Sequence, residues 1–220
     1  MNFLFAVVYS LLLTLAVSRP ATAATITLAA TQDTWIVDAD TFRDFNAGAD
    51  SFVWVDGPAN APTGGLIGFD LASIGTGSSV ASATLRLYHQ DNQQFGQYLR
   101  AYRNLTAWNE NTATASNAPA FDPTPVAELL VLDDVVGVYR EWDVTSVVQS
   151  WVKGTFLNAG FRLGKEVTGG ASPYFASREA ALGVPELIVT YRAAVVPEPS
   201  TALTLAGALL VVLLGLRQRA

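Results

Sequence analysis

The chain has 220 residues, a net charge of −6 and no cysteine, which excludes disulfide support and thiol chemistry. Half of it is hydrophobic, but much of the apolar content sits at the two ends. The body, residues 24–196, carries 18 acidic and 10 basic residues, a net −8 that argues against nucleic acid or an anionic membrane surface as its main partner.

In chain order, residues 3–17 are apolar, Arg19-Pro20 interrupts them, and Ala21-Thr22-Ala23 places small residues before Ala24. That order predicts an N-terminal signal helix, a signal peptide over residues 1–23, although only the terminal amine supplies its n-region charge. Residues 24–196 then have the length of one domain, enough to bury about 70% of their unfolded surface. Short β-branched or aromatic runs bounded by Gly, Pro, Asn or Asp predict strands over 25–30, 34–37, 52–56, 65–71, 82–90, 97–104, 137–142, 159–164, 173–177 and 186–191. Within 82–90 the period is two, with Leu85 and Leu87 inward and Arg86 and Tyr88 outward; Leu187, Val189 and Tyr191 alternate in the same way. Many short alternating strands make an all-β fold, an antiparallel β-sandwich.

One segment departs from that period. Val144, Val147, Val148 and Trp151 fall at i, i+3, i+4 and i+7, which predicts one short helix, capped by Asp143, ended by Gly154 and plugging an open end of the sandwich. The chain closes with Val196-Pro197-Glu198-Pro199-Ser200, an uncharged apolar run over 201–216, and Arg217-Gln218-Arg219-Ala220. In a membrane the apolar run forms a C-terminal transmembrane helix. Pro197 and Pro199 block helix outside it, and Arg217 and Arg219 stay in the cytoplasm. Its 16 residues are short for a permanent span of about 17–25 and suit a signal that is processed.

Residues 197–220 resemble the PEP-CTERM sorting signal, which implies an exosortase-type enzyme reading Pro197, Glu198 and Pro199. The body carries Asp33-Thr34-Trp35-Ile36, then Leu66-Ile67-Gly68-Phe69-Asp70-Leu71 and Val80-Ala81-Ser82-Ala83-Thr84-Leu85-Arg86-Leu87-Tyr88. Further on come Ala107-Trp108-Asn109-Glu110-Asn111-Thr112, Trp142-Asp143-Val144-Thr145, Val148-Gln149-Ser150-Trp151-Val152, and Phe175-Ala176-Ser177-Arg178-Glu179-Ala180. In that order and spacing they resemble the DNRLRE domain, the disaggregatase-related module also classed as carbohydrate-binding module family 96. The resemblance spans residues 28–192. It implies a jelly-roll-like sandwich that associates with polysaccharide and carries no established catalytic residues; Gly68 stands where relatives commonly have arginine.

His89 is the sole histidine. Lacking a G-x-S-x-G elbow or a second histidine, it reads as a loop-edge residue rather than a general base. Asp38, Asp40 and Asp44 crowd one loop and offer oxygens to Ca²⁺, but their spacing is not an EF-hand; Asp133-Asp134 reads as a turn. No carboxylate pair is singled out for glycoside hydrolysis. Asn104-Leu105-Thr106 is a formal glycosylation sequon. Trp151, Trp142 and Trp108 read as packing residues, while Trp35 and Trp54 lie in strands whose faces the pattern leaves open.

The polar connection 91–96 contains a glycine and predicts a hairpin joining 82–90 to 97–104. Leu99 and Ala101 then face inward, and Arg86, Tyr88, Tyr98, Arg100 and Tyr102 form one outward strip. Tyrosine rings pack on the C–H faces of sugars, and sugar hydroxyls or carboxylates accept hydrogen bonds from guanidinium groups, so this strip is the carbohydrate-binding hypothesis. The alternative location is the set of loops bearing Trp35, Asp38 and Trp108. The expected function is an exported, surface-sorted, non-catalytic module on extracellular polysaccharide, with no metal and no cofactor assigned. The competing reading is a structural envelope or biofilm-matrix protein that binds other proteins.

Overall fold

The computed structural model describes residues 22–57, 63–91, 96–131, 135–165 and 172–194. The expected signal helix up to Ala21, the motif Pro197-Glu198-Pro199 with its apolar helix, and Asp133-Asp134 lie outside them. Among the described residues no helix is long and apolar enough to cross a membrane. Residues 22–193 form one compact unit whose strands pair with one another around their own core, so this unit has what it needs to fold by itself.

Its strands are β1 (Ala23–Ala29), β2 (Gln32–Ile36), β3 (Phe52–Trp54), β4 (Gly64–Gly68), β5 (Ser79–Asp91), β6 (Gln97–Arg103), β7 (Ala127–Val131), β8 (Val138–Asp143), β9 (Phe161–Lys165), β10 (Tyr174–Ala176) and β11 (Glu186–Arg192). All pairings are antiparallel. The first sheet runs β1-β11-β5-β10-β3. In it β11 and β10 follow one another along one edge of the long β5, and β8 takes the opposite edge. The second sheet runs β2-β4-β9-β6-β7.

Alternation then builds the core as expected. Leu85, Leu87, Phe175, Leu187 and Val189 from the first sheet meet Ile67, Leu99, Ala101, Phe161 and Leu163 from the second, all buried. Trp142 joins the layers, donating its indole N–H to the carbonyl of Leu99 at 3.2 Å. Trp108 packs beside Ile36 and Leu66 and donates to the Ala159 carbonyl, so it too is a packing residue.

The helix α1 (Thr145–Val152) forms where its stripe predicts, burying Val147, Val148, Trp151 and Val152. Asp143 sits just ahead of the N-cap Val144 and accepts both the backbone N–H and the hydroxyl of Thr145. Gly154, with φ +70°, ends the helix as expected. The helix also completes a sheet edge. Beyond the end of β8, the Thr145 hydroxyl accepts the N–H of Ala83 and the Gln149 amide oxygen accepts that of Val80, so two side chains stand in for a missing strand.

Three expectations change. β5 and β6 do not form a hairpin: residues 91–96 carry the chain from one sheet to the other. β7 was not anticipated, because its five residues alternate around an exposed Leu130. His89 is not at a loop edge but fully buried on the core face of β5, against Phe175. Gly68 lies in β4 with the Gln32 side chain in the space a Cβ would need.

Candidate functional site

The five residues expected to share a strip are divided between two outer faces. Arg86 and Tyr88 point outward from the first sheet, Tyr98, Arg100 and Tyr102 from the second, with the core between them. On the first face Arg86 is held by Glu141 at 2.9 Å and Glu186 at 3.0 Å and stacks on Tyr139. Tyr88 packs edge-on to Tyr139 and so closely under Gly183 that a Cβ there would fall 2.3 Å from its ring. Both groups are occupied by their own protein.

The second face is different. Tyr98 is 45% exposed beside exposed Leu130, and Arg100 pairs with Glu128. One row on, Tyr102 lies opposite Arg162 in β9, and both are covered by Phe121, whose ring meets Tyr102 edge-on and lies 4.6 Å from the Arg162 guanidinium carbon. Arg162 is 2% exposed, and its Nε and Nη2 have no hydrogen-bond acceptor among the described residues. Burial pulls its pKa down to about 10, the mark of a cation stripped of water without a compensating carboxylate. Arg162 was legible in principle: the alternation Phe161-Arg162-Leu163 places a lone cation outward between two core residues.

The carboxylates fall into other roles. Asp38 is paired with Arg43 at 3.0 Å, and Asp44 accepts the Ser116 hydroxyl. Asp33, Glu110 and Glu179 instead come within 4.8 Å of one another, gathered by Arg178. Arg178 donates its backbone N–H to Asp33 and its guanidinium to Glu110, Glu179 and the Thr31 carbonyl, while Glu110 also accepts the Asp33 N–H at 2.7 Å. The network clamps the start of β2 to two distant loops. Burial lifts the Asp33 carboxyl to about 7, only partly opposed by the Arg178 N–H.

His89 has its Nδ1 3.1 Å from the Val135 carbonyl and, among the described residues, no partner for Nε2. Desolvation depresses its pKa, aided by nearby Arg140. Asn104 is fully buried and donates to the Ala159 and Phe161 carbonyls, so the formal sequon is a structural asparagine.

Residues 24–191 match the family model described as carbohydrate-binding module family 96, and residues 195–220 match that of the PEP-CTERM protein-sorting motif. No curated protein matches the chain.

Proposed function

The chain belongs to carbohydrate-binding module family 96 and carries a PEP-CTERM sorting motif, and from that premise we propose a non-catalytic module that is exported, sorted to the cell surface and holds an acidic polysaccharide there. An exosortase-type enzyme reads Pro197, Glu198 and Pro199 while the apolar run 201–216 holds the chain in the membrane; removal of that run frees the domain into the surface matrix.

The observation that carries the binding reading is Arg162. A buried guanidinium with unbonded Nε and Nη2 is an expensive thing for a fold to keep, since removing a cation from water costs several kcal/mol. A uronate carboxylate accepts a bidentate pair of bonds from such a group. Tyr102 and Phe121 frame it, and Tyr98 and the Arg100–Glu128 pair extend the same face toward solvent, so a chain lying along the face meets aromatic rings beside the Arg162 guanidinium. A bound glycan reaches Arg162 only when the loop bearing Phe121 lifts. Arg86 and Tyr88 take no part, being occupied on the opposite face.

Native gels containing polygalacturonate test this on residues 22–193. Retardation that weakens with salt, and that falls at least tenfold in the pair Arg100→Ala with Arg162→Met, supports it. Arg162→Met is informative because an apolar replacement of an uncompensated buried charge tends to be neutral or stabilising. Unchanged retardation of that variant, or none in the parent, refutes an acidic glycan on this face.

A further inference from the structure

Along the side of the sandwich where the edge strands β2 and β3 meet, six aromatic rings form a continuous surface. Trp35 is its centre, with ring centroids 5.5 Å from Phe45, 6.1 Å from Phe42, 6.3 Å from Phe52 and 5.4 Å from Trp54. Tyr174, directly across from Trp54 in the ladder, continues it with a parallel ring at 6.0 Å. Trp35 is buried, so it is the floor. Phe42 and Phe45 are 42% and 44% exposed, more than packing requires.

These two rings stand on a loop that is tied down. Asn46 donates its amide to the carbonyls of Glu110 and Ala113, Ser116 N–H donates to the Arg43 carbonyl, and Gly48 fits against Glu110 so closely that a Cβ would lie 2.4 Å from its oxygen. A loop fixed this well, with two phenylalanines turned to water, is a contiguous apolar surface of the kind that marks a binding site.

Its rim decides the ligand. Asp38 and Asp50 border the loop side, and Asp56 and Asp91 lie near Tyr174, where burial first and then these two carboxylates disfavour its ionisation. The cations nearby are already matched: Arg43 is paired with Asp38, and Lys165 is buried and paired with Asp56. Among the described residues an acidic chain therefore meets no spare cation here, while carboxylate oxygens can still accept hydrogen bonds from neutral hydroxyls beside rings that cover C–H faces.

We propose that this edge is a second carbohydrate site, specific for a neutral pyranose polysaccharide and independent of the Arg162 face. With an acidic chain on one face and a neutral chain on this edge, one molecule bridges two classes of matrix polymer. Gains from such linkage come through effective concentration and need no further contact.

The test places residues 22–193 in native gels cast with a neutral glucan, a galactomannan or polygalacturonate. The parent should be retarded by at least one neutral polymer, and retention should survive about 0.5 M salt, which screens charge to a few ångströms. Phe42→Ala with Phe45→Ala should weaken that retention at least tenfold, Phe45→Tyr should preserve it, and polygalacturonate retardation should stay as in the parent. Loss of polygalacturonate binding alone would remove the acidic-face reading and leave this one standing. No retardation by either neutral polymer, equal retention of parent and double variant, or simultaneous loss of both ligands in the double variant would overturn the proposal. So would sedimentation showing that the parent self-associates through these rings without binding either neutral chain.

Discussion

Replacing Trp151 with alanine probes the packing of α1 on the sandwich. The side chain is 6% exposed and its ring centroid lies 4.8 Å from that of Phe161. A buried tryptophan removes roughly 200 Å² from water, worth about 5 kcal/mol at about 25 cal/mol per Å². The alanine methyl retains about 0.8 kcal/mol of this. The indole Nε1 has no acceptor among the described residues, so its loss also relieves a buried unsatisfied donor of about 1 kcal/mol. Against those offsets, the ring contact with Phe161 adds about 1 kcal/mol to the loss, as does the incomplete collapse of the cavity. The expected net destabilisation is about 5 kcal/mol, at the upper end of the range of about 3–5 kcal/mol for deleting a buried aromatic, read as a lower urea midpoint at constant slope for residues 22–193. Trp151→Phe keeps a ring on Phe161 and deletes the orphan N–H, and should cost less than about 1.5 kcal/mol. A loss below about 1 kcal/mol for the alanine variant would refute the assignment of Trp151 to the core.

Gln149→Ala strips the acceptor from the Val80 N–H and should cost about 1–3 kcal/mol, whereas alanine at exposed Ser146 should be near neutral; urea melts of both variants decide this. Asp33 has a folded-state pKa of about 7 against 3.8 for the free group, so the folded chain holds a proton that the unfolded chain releases. Its contribution to stability is full below about pH 4 and declines, by up to about 4 kcal/mol, as pH rises to about 7. Asp33→Asn should therefore gain stability relative to the parent between pH 4.5 and pH 8, and parallel melting profiles across that interval would contradict a proton on Asp33. For sorting, mass spectrometry of protein collected outside the cell should find no peptide beyond about Ser200, the span expected of a processed signal being shorter than about 17 residues. An intact Ala220 terminus on that material would show that the tail is kept.

What was local in cause was legible in the chain. A period of two sends Leu85, Leu87, Leu99 and Ala101 inward and Arg86 and Tyr98 outward, because successive Cβ atoms leave opposite faces of a strand. The Val144 to Trp151 stripe fixed α1 for the corresponding reason at a period of 3.6, and the sorting motif at residues 195–220 is itself a linear motif. β7 escaped because five residues with an apolar Leu130 facing water carry too little alternation to be read.

Partnership was not local. Periodicity assigns a residue to a face but says nothing about which sheet its strand joins, and a polar connection such as 91–96 serves a hairpin and a sheet-to-sheet crossing equally well. So Arg86 and Tyr98, both correctly outward, end on opposite sides of the molecule, and each arginine meets its own carboxylate. The same rule works in reverse at the β2/β3 edge. Phe42, Trp54 and Tyr174 come from three separate parts of the chain, and they share a surface only because β10 pairs with β3 while the loop after β2 folds back over Trp35. Side-chain direction was written in the sequence; which directions converge was set by long-range strand pairing, which closes only when the whole core is buried.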